Sequence, residues 1–190
     1  MAISSGSNFP SGVDFAYIPI DLSTIKNEDA LGCSKPLPLK LDKLIEQNAG
    51  SNILFVSVPG AFTPTCTENH VPPYLDHLEQ LKKEKNISAV VVLSANDPFV
   101  LNAWGKLLLK NAKFDVGADL PKVLFASDPN AQFSKDNEIS LDLTGNGMGV
   151  RTGRYAFVVN ADTRSVNYYG VESGSGVEAS GYEAIKAAKL

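Results

Sequence analysis

Two hydrophobic patterns alternate along this chain: short runs in which nearly every residue is apolar, and longer segments whose apolar positions recur every three or four residues. The first pattern predicts strands over residues 15–20, 53–58, 87–94, 123–127, 154–160 and 165–171. The second predicts helices over residues 39–47, 65–85, 98–110, 129–137 and 178–189. Asp97-Pro98 and Asp128-Pro129 are start signals, each placing an N-cap acid before a proline at the first helical position. Fully apolar strands suit a central sheet covered on both faces by helices. The last two strands are separated by the short polar turn Ala161-Asp162-Thr163, which predicts an antiparallel hairpin. No internal repeat appears, and Ser173-Gly174-Ser175-Gly176 reads as a surface turn, so a single domain over residues 1–190 is expected.

Composition narrows the classes of function. The 190 residues are 44% hydrophobic and 20% charged, ordinary for a globular domain able to bury most of its apolar surface. A net charge of −4 gives no electrostatic reason to expect nucleic acid or an anionic membrane as partner. No apolar stretch approaches the ~18–20 residues needed to span a bilayer. The first eight residues lack the basic and apolar regions of a secretory leader, which predicts a cytoplasmic protein and an unused Asn86-Ile87-Ser88 sequon. Ala188-Lys189-Leu190 is a near-variant of the Ser-Lys-Leu peroxisomal address, although Ala, Lys and Leu also simply favour a helix. The peroxisome therefore stands beside the cytoplasm. Two cysteines are too few for a disulfide-stapled scaffold, and in a reducing compartment they read as chemical groups.

The chemistry concentrates where the second predicted strand ends, at Pro59-Gly60-Ala61-Phe62-Thr63-Pro64-Thr65-Cys66. Cys66 falls in the first turn of the helix that follows. Unpaired backbone N–H groups and the positive end of the helix dipole there favour a thiolate, the nucleophilic form of sulfur. Pro59 closes the strand without presenting a donor and can shield the sulfur from water. The Thr63 hydroxyl both donates and accepts, so it can bridge a thiolate and a bound oxygen. The alternative is an inert buried cysteine at a helix start, since free Cys is among the most buried residue types. Pro59 and Thr63 in register with Cys66 favour the reactive one.

This Pro, Thr and Cys spacing resembles the peroxiredoxin signature. Together with His70-Val71-Pro72, Asn96-Asp97-Pro98-Phe99-Val100, Ser127-Asp128-Pro129 and Gly153-Arg154-Tyr155-Ala156-Phe157, it is similar to the type-five subfamily, which includes fungal alkyl hydroperoxide reductases. The resemblance runs from about Phe15 to the C-terminus and fits a thioredoxin-like fold, an α/β sandwich with a central mixed sheet. It implies a thiol peroxidase in which Cys66 reduces hydrogen peroxide and alkyl hydroperoxides, becomes a sulfenic acid and needs no cofactor. It also implies an arginine holding thiolate and peroxide. Arg154 matches by position, and Arg151 is its competitor. A permanent cation beside sulfur stabilises the thiolate and can hold the departing oxygen.

The family further implies a resolving cysteine. Cys33 lies in the loop-like Leu31-Gly32-Cys33-Ser34-Lys35-Pro36 and resembles the N-terminal resolving cysteine of the fungal members, which bridges to the other subunit. The expectation is a homodimer joined by Cys33–Cys66 disulfides on oxidation and reduced by thioredoxin. An incidental surface thiol, in a one-cysteine enzyme, is the alternative. The chain departs from the family at Pro72-Pro73, where Pro-Gly is usual, and this predicts a helix kinked or restarted there.

Cys66, His70 and His77 share a face of the predicted helix, but His77 would sit ~16 Å along the axis from Cys66, too far for a common metal. No metal is expected, and His70 is read as a supporting residue. Gly145-Asn146-Gly147-Met148-Gly149 follows no clear strand and opens no helix, so it reads as a loop and not a phosphate cradle. A thiol–disulfide oxidoreductase would carry Cys-x-x-Cys, but Thr63 occupies the position three before Cys66. A thioredoxin-like binding or chaperone module is the non-enzymatic alternative.

Overall fold

The computed structural model describes residues 2–190. Its centre is three parallel strands, β3 (Asn52–Ser57), β4 (Ile87–Ser94) and β5 (Lys122–Ser127). Antiparallel strands flank them, β1 (Asp14–Tyr17) and β2 (Leu37–Lys40) on one side, β8 (Tyr155–Asn160) and β9 (Val166–Val171) on the other. The order is β2-β1-β5-β4-β3-β8-β9, and β6 (Ser140–Leu143) pairs with β7 (Gly149–Thr152) as a separate ribbon. The result is the expected thioredoxin-like mixed sheet between helices.

Strand side chains alternate between faces, so each apolar run feeds two cores. Leu54, Val56, Val90, Val92, Ala156 and Val158 pack with α2 (Val71–Asp76), α3 (Leu78–Lys85), α4 (Pro98–Asn111) and α6 (Tyr182–Ala187). Ile53, Phe55, Val91, Phe157 and Val159 pack on the opposite face with α1 (Leu41–Gln47) and α5 (Gln132–Asp136). There Phe55 and Phe157 stack with ring centroids 4.6 Å apart. Burial on both faces is why no polar alternation marks these strands.

Several boundaries move for local reasons. The predicted helix at 39–47 begins at Leu41 because Leu37–Lys40 pairs with β1; Pro38 is tolerated because β2 is an edge strand. Asp97 caps α4 as expected, accepting from Phe99 N and Val100 N at 2.9 and 3.0 Å. Asp128 instead reaches past a 3-10 turn at Pro129–Ala131 to accept from Phe133 N and Ser134 N of α5. Asn130 and Ala131 take left-handed backbone angles there and divide the predicted helix. The predicted last helix shrinks to α6. The glycine-rich segment 145–149 follows β6 after all: residues 145–148 lie in the turn of the β6–β7 ribbon and Gly149 opens β7.

Candidate active site

The site is built at the end of β3. The Ser57 hydroxyl donates to the Gly153 carbonyl at 2.9 Å, and the Thr152 hydroxyl donates to the Val58 carbonyl at 2.7 Å. These bonds clamp the β7–β8 connection against the strand that leads to Cys66. Gly153 N also donates to the Ile139 carbonyl at 2.9 Å, and a Cβ at Gly153 would collide with that oxygen. The approach requires glycine.

The turn after β3 is held from the side by Asn96, whose Oδ1 accepts from Ala61 N and the Ser94 hydroxyl, both at 2.9 Å. Phe62 adopts φ 61°, unusual for a bulky side chain, and leaves its ring 56% exposed. The Thr63 hydroxyl donates to the Gly60 carbonyl at 2.8 Å, which leaves its oxygen lone pairs as acceptors. Cys66 follows within the π turn Thr65–His70 and is fully buried.

The predicted helix at 65–85 is therefore three pieces. Pro72 and Pro73 have no N–H to return to residues 68 and 69, so the chain widens into the π turn, closed by Val71 N on the Cys66 carbonyl, and restarts as α2. The restart at the prolines matches expectation. The second break, at His77 with φ −122° and ψ 28°, has no signal in the sequence.

Arg154 reaches into this turn. Its Nη1 lies 3.4 Å from Cys66 Sγ and 3.2 Å from His70 Nδ1. Its Nε is buried without a protein acceptor, and among the described residues no carboxylate lies within 4.0 Å of the guanidinium. Arg151, the competing candidate, turns away and donates through Nε to the Met148 carbonyl at 2.7 Å.

His70 holds the arginine. Its Nε2 meets the Ser180 carbonyl at 2.8 Å, and a carbonyl can only accept, so Nε2 carries the proton and Nδ1 is the lone pair that receives Arg154. Burial pushes the His70 pKa down to about 4, with the Arg154 charge adding to the shift and the Ser180 bond opposing it. Near neutral pH the ring is uncharged. His77 lies elsewhere: its Nδ1 meets the Pro73 carbonyl at 2.7 Å and its ring stacks on Tyr182. Among the described residues no His, Cys, Asp and Glu cluster could hold a metal.

A cleft of about 650 Å³ opens beside this turn, lined by Pro59, Thr63, Arg154, Ile139, Leu141 and Met148 among others. Arg154 both lines the cleft and touches the buried Cys66 sulfur, an arrangement suited to attack on a small electrophile. The Redoxin family model matches residues 6–186. A Malassezia furfur protein named as a peroxiredoxin is 43% identical over 169 residues, covering 89% of this chain and 90% of its own length.

The chain belongs to the peroxiredoxins.

A Lipomyces kononenkoae protein named as a peroxisomal peroxiredoxin is 42% identical, covering 95% of this chain and 97% of its own. The solved structure of reduced Prx3 from Vibrio vulnificus in complex with H2O2 has a TM-score of 0.72 at 28% identity, covering 97% of this chain and 98% of that one. As a peroxiredoxin the chain is a thiol peroxidase with an antioxidant role.

Cys33 is exposed and does not line the cleft that Arg154 lines; both thiols are free. The loop before it is pinned to α4 of this peroxiredoxin by Lys106, only 4% exposed, which donates to the Gly32 carbonyl at 2.6 Å and pairs with Glu28 at 2.8 Å. No helix is long and apolar enough to cross a membrane among the described residues. Sequence reasoning missed Thr152, Tyr74 and Ser180, which shape the site through partners distant along the chain, and Glu172, which holds Ser180 from eight residues before it; none carries a spacing signal.

Proposed function

We propose that this peroxiredoxin reduces hydrogen peroxide and alkyl hydroperoxides at Cys66, with Arg154, Thr63 and Pro59 as the other members of the reacting site. The thiolate attacks the terminal oxygen, a sulfur–oxygen bond forms as the O–O bond breaks, and the departing alkoxide or hydroxide takes a proton to leave as alcohol or water. Cys66 is left as a sulfenic acid, oxidised by two electrons. The observation that carries this reading is the Arg154 contact on Cys66 Sγ at 3.4 Å, made by a guanidinium with no carboxylate partner among the described residues. Its charge is free to hold the thiolate and then the departing oxygen. Thr63, already donating to Gly60, can accept the hydroperoxide O–H, and Pro59, buried at the strand end, excludes water. The apolar side chains Ile139, Leu141 and Met148 in the cleft favour an alkyl tail on the substrate.

Cys33 of a partner subunit then attacks the sulfenic sulfur, releasing water and forming an intersubunit disulfide in a homodimer. A thioredoxin-type dithiol reduces it by exchange. A fully buried Cys66 and an exposed Cys33 on a pinned loop support a bridge between chains over one within a chain. The likeness to a relative named as peroxisomal supports action in the peroxisome. The test is stopped-flow reaction with hydrogen peroxide and cumene hydroperoxide. Cys66→Ser should abolish turnover and Thr63→Val should slow it about 10-fold or more while the fold persists. Turnover retained without Cys66 would refute the mechanism.

A further inference from the structure

β9 ends at Val171, and the next residue, Glu172, donates its backbone N–H to the Arg154 carbonyl at 2.9 Å. The two residues are thus fixed side by side at the end of the β8–β9 pair. The Glu172 carboxylate does not pair with the arginine. Its Oε1 accepts from Ala179 N and Ser180 N, both at 2.7 Å, and from the Ser180 hydroxyl at 2.9 Å. Gly170 leaves the room this loop needs, since a Cβ there would strike the Ala179 carbonyl. Ser180 is in consequence fully buried, and its carbonyl accepts from both His70 Nε2 and the Tyr74 hydroxyl, at 2.8 and 2.7 Å.

We propose that Glu172 is a positioning residue for peroxide reduction, acting on Arg154 and Cys66 through Ser180 and His70. The inference rests on the reading of Arg154 as the partner of the Cys66 thiolate. Glu172 fixes the Ser180 backbone, Ser180 fixes the His70 ring and its tautomer, and His70 Nδ1 fixes the Nη1 edge that meets the sulfur. Each link is a hydrogen bond with one polarity: the Ser180 carbonyl only accepts and the guanidinium only donates. The arrangement has a second consequence. Glu172 lines the same cleft as Arg154, and three donors on its carboxylate keep it from pairing with the guanidinium, which would weaken the cation's hold on the thiolate.

The test compares Glu172→Gln with the parent by single-turnover stopped flow with hydrogen peroxide across pH. The amide oxygen meets fewer of the three donors, so the rate at neutral pH should fall about 10-fold and its pH profile should move to higher pH, with circular dichroism unchanged. In a His70→Ala background the same substitution should change the rate less than about twofold, because both act along one line. Tyr168→Phe, which deletes the Tyr168 hydroxyl's bond to the Ala179 carbonyl in the same loop, should leave rate and profile near those of the parent. A parental rate and profile in Glu172→Gln, a full additional loss in the His70→Ala background, or an equal loss in Tyr168→Phe would overturn the inference. Arg154→Ala separates the two claims: if it leaves the rate intact, the reading of Arg154 fails; if it slows the rate and Glu172→Gln does not, only the role of Glu172 fails.

Discussion

Arg154 Nη1 sits 3.2 Å from His70 Nδ1, whose lone pair accepts its hydrogen bond, so a residue read from sequence as merely supporting is the acceptor that aims the cation at Cys66. The contact works only while the ring is neutral, because a second proton would put N–H against N–H and charge against charge.

That relationship predicts a pH dependence of stability. The His70 pKa is lowered from 6.5 to about 4 in the folded chain. Above the unfolded value neither state binds the proton, and the full stability is present. Between about 6.5 and about 4 the unfolded state binds it and the folded state does not, so stability falls as pH falls. The loss attributable to this group is on the order of 3 kcal/mol, reached near the lower value. Urea unfolding of the parent and of His70→Gln should diverge across this window; identical pH slopes would refute the assignment.

Arg154→Ala should slow the reaction with peroxide by about 100-fold, because the departing oxygen loses the cation that holds it. Arg151→Ala removes only a bond to the Met148 carbonyl and should keep most of the rate. Stopped-flow rates for both variants decide between the arginines, and the reverse pattern would exchange their roles.

Gly153→Ala places a methyl group against the Ile139 carbonyl beneath the β7–β8 connection. The backbone must shift, at a cost of about 1–3 kcal/mol, and Arg154 shifts with it. Thermal unfolding should register the loss and the peroxide rate should drop. A variant with parental stability and rate would mean that the connection is softer than its three hydrogen bonds indicate.

Cys33→Ser should still react once with peroxide but stall at the sulfenic acid, with poor thioredoxin-driven turnover. One equivalent of peroxide should convert the parent, but not this variant, to a covalent dimer on a non-reducing denaturing gel. A parent that stays monomeric, with mass spectrometry detecting the loss of two hydrogens, would place the bridge within one chain.

Features set by neighbours along the chain were legible in the sequence. The apolar runs fixed which segments become β3, β4, β5 and β8, because a strand buried on both faces leaves no room for polar side chains. Pro59, Thr63 and Cys66 share one strand–turn–helix unit, so their spacing carries their geometry. Asp97 before Pro98 caps its helix within three residues. What only the tertiary structure decided depends on partners far apart in sequence. Arg154 outranks Arg151 because Thr152 and Gly153 are clamped to Val58 and Ser57, 94 and 96 residues away. His70 acquires its tautomer from Ser180, 110 residues on, whose position Glu172 holds. β2 and the β6–β7 ribbon were invisible as strands because they lie at an edge or apart from the main sheet, where half-exposed positions need no apolar run. Local propensity wrote the nucleophile's turn; long-range hydrogen bonds, which leave no period in the sequence, chose what surrounds it.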